Sequence, residues 1–317
     1  MRALAFYLFY RMAVHVLPLL VGVSVIVFAV VRLIPGDAVD VMNDRMPIEQ
    51  RELIRLQYGL DEPIWTQYAL WLGQALQGNL GTSLRSGRPV AVEIGNVASA
   101  SLELGLFGAL IGIGIGLPAG ILAAIHHNRP ADSLLRAVTY VSISVPEFWL
   151  GAVLILMLGI GLGLFPISGY ESIFIDPARA LRTGAMPAFA LGLIMAGFLA
   201  RVTRSAMLEV MHQDYVIVAR SKGLPPRTVL ARHALSNAAP AIVTVIALQF
   251  AFLISGSIVI EEVFVRPGLG RLLVRSIFQR DYAVVQAITL LYTTIFVVAS
   301  LAADVLRAAI DPRLRQA

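Results

Sequence analysis

The sequence predicts an all-α protein built into a membrane and crossing it six times. Three observations carry that expectation. Charged residues fill only 14% of the 317 positions and hydrophobic residues 58%, where a soluble domain carries about 25% charged residues. Mean hydropathy is +0.78. The apolar residues also gather into long segments, near 12–34, 99–125, 134–165, 185–203, 238–260 and 284–305, each of a length to meet the roughly 20 residues a helix needs to cross the hydrocarbon core.

The same composition removes several function classes. Cysteine is absent, which excludes disulfides, thiol nucleophiles and Cys-ligated metal. No His-Glu-x-x-His or Gly-x-Ser-x-Gly pattern points to an intramembrane hydrolase. The net charge of +5 reflects arginines flanking spans rather than a nucleic-acid surface, so no nucleic-acid partner is expected. His126 and His127 stand together at a span end and read as interfacial groups, with no metal site expected.

Along the chain, Arg2 and Arg11 precede an apolar run, 12–31, without a charged residue. It exceeds the core of about 7–15 residues of a signal peptide, so residues 1–34 are expected to hold a cytoplasmic N-terminus and a retained first span. Residues 35–98 form the sizeable region expected outside. There Leu53, Leu56 and Leu60 share one helical face, as do Tyr68, Leu72 and Leu76, and "GNLGTSLRSGRP" is turn-rich. Residues 99–317 make up the five-helix remainder, with a cytoplasmic loop at 204–237. In the second span, Gly108, Gly112, Gly116 and Gly120 recur every four residues and lie on one stripe. The spacing fits a close helix–helix approach. The third span is long enough to tilt or to end in a short surface helix, and the fourth is the shortest.

A cytoplasmic N-terminus places 126–133, 204–237 and the C-terminal tail inside, with Arg204, Arg220, Lys222, Arg227, Arg232, Arg307, Arg313 and Arg315. The outside still holds Arg266, Arg271, Arg275 and Arg280, so the positive-inside signal is moderate.

Residues 214–240, "DYVIVARSKGLPPRTVLARHALSNAAP", interrupt the apolar pattern and contain the only lysine. Helical character is expected to run unbroken from Arg204 through Lys222. Gly223 sits where a helix stop belongs, with Arg220 and Lys222 in the last turn facing the negative dipole end. Pro225 and Pro226 cannot continue that helix, but proline can open the next. The result is helix, sharp turn, helix. Such a pair either lies on anionic lipid as an amphipathic element or docks on a protein.

Residues "DYVIVARSKGL" followed by "RHALSNA" resemble the cytoplasmic coupling loop of binding-protein-dependent ABC importer permeases, in the dipeptide/oligopeptide/nickel branch. The wider family's loop reads Glu-Ala-Ala, three residues, Gly. Here Gly223 fits the glycine and Ala219 the last alanine, while Ile217 and Val218 stand at the first two positions. Loss of the glutamate is usual in the peptide branch. "LIPGDAV", "YGLDEPIWTQYALWLGQALQGNLGTSLRSGRPV", "SLELGLFGALIGIGIGLPAGILAA", "EEVFVRPGLGRLLVRSIFQRDYAVVQA" and "DPRLR" resemble the same branch in order along nearly the whole chain.

The resemblance implies a type I ABC importer permease fold in a bacterial inner membrane, multi-pass, with both termini cytoplasmic. It implies a transporter subunit rather than an enzyme. A second, homologous permease would share the path, two ATPase subunits would bind ATP and Mg, and an extracytoplasmic solute-binding protein would deliver peptide. The chain itself has no Gly-x-x-x-x-Gly-Lys-Ser/Thr loop, and no cofactor is expected in it. Asp214, Tyr215, Ala219, Arg220, Lys222, Gly223 and Leu224 are the expected ATPase-docking element. Glu147, Gln249 and Glu261 are candidates for the solute path, because polar groups at membrane depth are costly; helix–helix hydrogen bonding is the competing role for each. Nickel complexes or another small solute are the alternative cargo. An ion-gradient carrier is the alternative machine, and the internal repeat it would favour is not evident.

Overall fold

The computed structural model describes residues 10–33, 62–83 and 85–310. Every regular element among them is a helix, and the only β pairing is an isolated bridge between Thr82 and Pro89. In chain order they are α1 (Leu17–Leu33, entered through a π-helical turn at Met12–Val16), α2 (Ile64–Leu76), α3 (Val90–Ile125), α4 (Pro130–Ser144), α5 (Glu147–Gly161) and α6 (Pro177–Met211). There follow α7 (Asp214–Ser221), α8 (Pro226–Gly256), α9 (Ile258–Val263), α10 (Leu269–Phe278) and α11 (Tyr282–Ile310).

Five helices are long and apolar enough to cross a bilayer, in α1, α3, α6, α8 and α11; α4 and α5 together make a sixth if their bent pair counts as one span. The third segment, expected over 134–165 to tilt or to end in a short surface helix, is instead broken near its middle. Its halves meet at 97°. Pro146 gives the cause: it lacks an N–H and pushes Val145 out of helical geometry, to ψ 122°.

The fourth segment also departs from expectation. It is not the shortest but a 35-residue helix, with 61% of its most apolar window buried against 33% for α3. Arg179, Arg182, Arg201 and Arg204 trimmed its apparent apolar length in the sequence. Because α6 is enclosed by protein, it is the central post of the fold. Its main partner is α3, and the glycine stripe explains how closely the two run. A Cβ on Gly116 would lie 2.6 Å from the Ala196 carbonyl oxygen, and one on Gly120 2.6 Å from that of Ala200. Nothing larger than hydrogen fits, so backbones pack directly on each other.

Around this pair, Leu104, Met186, Leu191, Met195, Leu253 and Phe264 form the main core. A second cluster joins the start of α3 to α10 and α11 through Val90, Leu269, Val284 and Ile288. α1 lies outside, against α11, where Arg11 pairs with Asp304. α2 rests on α1 through Tyr68 and Trp71 against Phe28, with a 2.8 Å hydrogen bond between the Tyr68 and Ser24 hydroxyls. Leu76, expected on that face, is 80% exposed. Leu53, Leu56 and Leu60, and Arg313 and Arg315, lie outside the described residues. α3 begins at Val90, so the helical body starts before the expected boundary at 99.

Candidate functional site

The interrupted stretch folds into a compact hairpin. α6 ends at Met211 and α7 starts at Asp214, so the helix does not run unbroken from Arg204 as expected; Gln213 is extended, with ψ 145°. At the far end Gly223 has φ +76°, a conformation that glycine alone adopts at little cost. Its N–H donates to the Arg220 carbonyl (2.9 Å) and that of Leu224 to the Ala219 carbonyl (3.4 Å), the paired closure of a Schellman cap. Pro225 and Pro226 then open α8. Val216, Ala219 and Val229 form a small core between the two arms, supported by Val210. The hairpin thus has packing of its own and is not a solvated loop.

This packing divides the expected docking residues. Asp214, Tyr215, Arg220, Lys222, Gly223 and Leu224 are exposed. Ala219 is 5% exposed and serves the hairpin's interior rather than its outer face. Ile217 and Val218, which stand at the first two positions of the loop pattern, are exposed instead. The outer face is therefore apolar and basic together.

A buried ion pair braces the hairpin's root. Asp132, fully enclosed at the start of α4, receives Nε and Nη2 of Arg204, each at 2.8 Å, and the Asn128 N–H at 3.1 Å. Arg136 and His127 join the group, Arg136 with Nε 3.5 Å from the carboxylate and His127 with Nδ1 3.1 Å from the Arg204 guanidinium. Sequence reading did not single out Asp132. The available signal was an acid in the first turn of a helix that follows His-His-Asn-Arg-Pro. His127 is thus an exposed member of a side-chain network at the span end, where it was expected to be interfacial or solvated.

The expected path residues separate. Glu147 and Gln249 line one small open cleft, whose walls include Leu191 and Met195 from α6 and Phe252 and Leu253 from α8. Neither polar residue has a hydrogen-bond partner among the described residues. Glu261 lies elsewhere. It is fully buried, its Oε1 accepting from the hydroxyls of Ser101 (2.6 Å) and Ser257 (2.8 Å) and its Oε2 from the Arg271 N–H (3.0 Å). It sits at the N-terminal end of α10, where free N–H groups favour a carboxylate, and it pins that helix to α3. Solute contact is not its place.

Nearby, Arg266 is 1% exposed, stacked over Tyr170 and bonded through Nε to the Ala100 carbonyl (3.2 Å). It belongs to the interior, so it does not count among outside surface charges. Glu103 gathers Tyr170, Ser172 and the Ile173 N–H. Among the described residues, no three His, Asp or Glu side chains converge as a metal site.

Residues 116–316 match the model of a family described as the binding-protein-dependent transport system inner membrane component. The chain belongs to this family of importer permeases. The permease is 37% identical over 305 residues to the oligopeptide transport system permease protein AppB of Bacillus subtilis, covering 94% of this chain and 96% of that one. It is 39% identical over 300 residues to the glutathione transport system permease protein GsiC of Escherichia coli K12, covering 94% and 95%. In fold, the permease resembles the inward-facing MetNI methionine ABC transporter, with a TM-score of 0.58 at 19% identity over 69% of this chain and 96% of that one. The permease is a transporter subunit of the inner membrane and not an enzyme; ATP hydrolysis lies with partner subunits.

Proposed function

We propose that this permease carries peptides across the inner membrane, forming the path with a second, homologous permease and receiving solute from an extracytoplasmic binding protein. The full-length relatives named for oligopeptide and glutathione transport support peptide cargo. Two ATPase subunits, holding ATP and Mg, would drive the cycle from the cytoplasmic side, where both termini and the hairpin would lie.

The self-packed hairpin is the observation that carries the mechanism. A floppy loop would absorb ATPase closure, whereas an element with its own cap and core transmits it. Asp214, Tyr215, Arg220, Lys222 and Leu224 would enter the ATPase groove, with Gly223 shaping the turn. The Asp132–Arg204 pair would pass the push from α6 to α4. Glu147 and Gln249 would border the path.

The absence of cysteine makes the test clean. Tyr215→Cys or Lys222→Cys, each the sole thiol of the chain, should cross-link to an ATPase subunit in the assembled importer. ATP-dependent uptake of short peptides should require all subunits. Failure of both cross-links in an intact complex would remove the docking role, and uptake independent of ATP would remove the importer reading.

A further inference from the structure

The end of the fold opposite the hairpin carries a second self-supported protrusion. α3 is 36 residues long, about 54 Å at 1.5 Å per residue, and it finishes beside the His127 cluster at the hairpin's root. The turn that leads into it, 77–89, therefore lies at the other end of the span from the hairpin. This turn is tied to itself: the Ser83 N–H donates to the Arg88 carbonyl (2.9 Å), the Gly87 N–H to the Ser83 carbonyl (2.9 Å) and the Val90 N–H to the Gly81 carbonyl (3.0 Å). It is also tied to the junction of α10 and α11. The Ser83 hydroxyl donates to Asp281, both residues buried, and Leu80 packs on the second core. What this leaves outside is basic. Arg85 and Arg88 are exposed, as are Arg275 and Arg280 at the junction. The one acid in 77–89 or 269–282 is Asp281, and it is enclosed against Ser83. Neither Arg85 nor Arg88 forms an ion pair among the described residues.

We infer that this basic platform, the 77–89 turn with the α10–α11 junction, is where the extracytoplasmic binding protein docks, and that the partner presents a carboxylate-rich face to it. The inference rests on the importer reading and adds to it the surface and its charge. Arginines on an ordered element hold their charge in a fixed place, and complementary charge sets encounter rate and register more than final affinity. Phe278, 84% exposed at the end of α10, adds an aromatic group between Arg275 and Arg280 in the chain. Arginine and aromatic residues are the types enriched where proteins meet. A lipid surface is the poorer occupant. The exposed tip, 85–89, reads Arg-Ser-Gly-Arg-Pro and offers no large apolar side chain to enter acyl chains, as an interfacial element must.

The test uses the complete importer in lipid nanodiscs, titrated with its binding protein loaded with trialanine, and reads ATP hydrolysis. The wild-type half-saturating concentration should rise severalfold from about 0.05 M to about 0.3 M salt, as the screening length shortens. Arg85→Glu with Arg88→Glu should raise it about tenfold at low salt, the scale of a few surface ion pairs turned into repulsions, and should flatten that salt dependence. The maximal rate, and hydrolysis without binding protein, should stay at the wild-type level. Arg85→Lys with Arg88→Lys keeps the charge and should stay within about twofold of wild type. The titrations are made in discs of neutral and of anionic lipid. An unchanged half-saturating concentration in the Glu variant, in complexes whose assembly is verified by co-purification, overturns the docking surface while leaving the importer standing. A defect confined to anionic discs overturns it as well and assigns the arginines to lipid. If the wild-type complex is not stimulated by its binding protein at any salt, the importer reading fails at that step, and this inference with it.

Discussion

Asp132 and Arg204 close a two-pronged ion pair between the start of α4 and the last turns of α6, with both prongs at 2.8 Å. The carboxylate is fully enclosed, and the guanidinium side chain is 20% exposed. Arg136 stands 3.5 Å from the same carboxylate and Arg204 is partly solvated, so removing either partner alone costs about 1–3 kcal/mol. Asp132→Ala and Arg204→Ala should each lower the temperature of heat inactivation of the purified complex. The double variant should lose less than the two single losses combined. Strict additivity would mean that the two groups do not depend on each other.

The hairpin allows a separation of stability from coupling. At Gly223 nothing lies within 4 Å of an added Cβ, so Gly223→Ala meets only the left-handed backbone penalty, about 1 kcal/mol. It should keep most transport. Gly223→Pro loses the 2.9 Å bond to Arg220 and cannot adopt φ +76°. Its cap must open, and ATP hydrolysis should continue while uptake falls to background. Wild-type uptake by an assembled Gly223→Pro complex would remove the coupling role of the turn.

The glycine stripe predicts a contrast within one helix. Gly116→Ala drives a methyl group into the Ala196 backbone at 2.6 Å, an overpacking that costs about 1–3 kcal/mol. Gly114, two residues away, has nothing within 4 Å of its Cβ position. Gly114→Ala should be neutral, or stabilising by about 0.5 kcal/mol, as expected for Gly→Ala within a helix. Heat-inactivation curves of the two variants should shift in opposite directions or, at the least, differ by several degrees. Equal curves would show that α3 and α6 are not in direct contact at Gly116.

What could be read ahead of the structure follows the range of each signal. Hydropathy is a local average, and it placed the spans wherever charge was sparse. It shortened α6, because arginines near its ends lowered a window that tertiary packing encloses. Gly223 and the two prolines were legible because a turn's demands are met within a few residues. The bend at Pro146 was written in the same local code, but apolar residues on both sides hid it within one long run. Asp132–Arg204 and Glu261–Ser101 were not legible at all: their members are 72 and 160 residues apart. Only the folded chain says which buried acid is held by the protein and which, like Glu147, faces a cleft.

That last distinction gives Glu261 a phenotype of assembly rather than of transport. Glu261 accepts from Ser101, Ser257 and the Arg271 N–H in a site closed on all sides. Gly268 completes the enclosure, since a Cβ there would meet the carboxyl group at 2.3 Å. Glu261→Gln keeps one acceptor oxygen and turns the other into an NH2 group, so either the Arg271 N–H of α10 or the pair of serine hydroxyls faces a donor, at about 1–3 kcal/mol for the orphaned group. Gly268→Ala should injure the same site from the other side. Both variants should reduce the yield and heat resistance of the complex. Whatever complex assembles should keep wild-type ATP-driven uptake per assembled complex. Lost uptake by Glu261→Gln at normal yield and heat resistance would place Glu261 on the solute's route and contradict its role as the pin between α10 and α3.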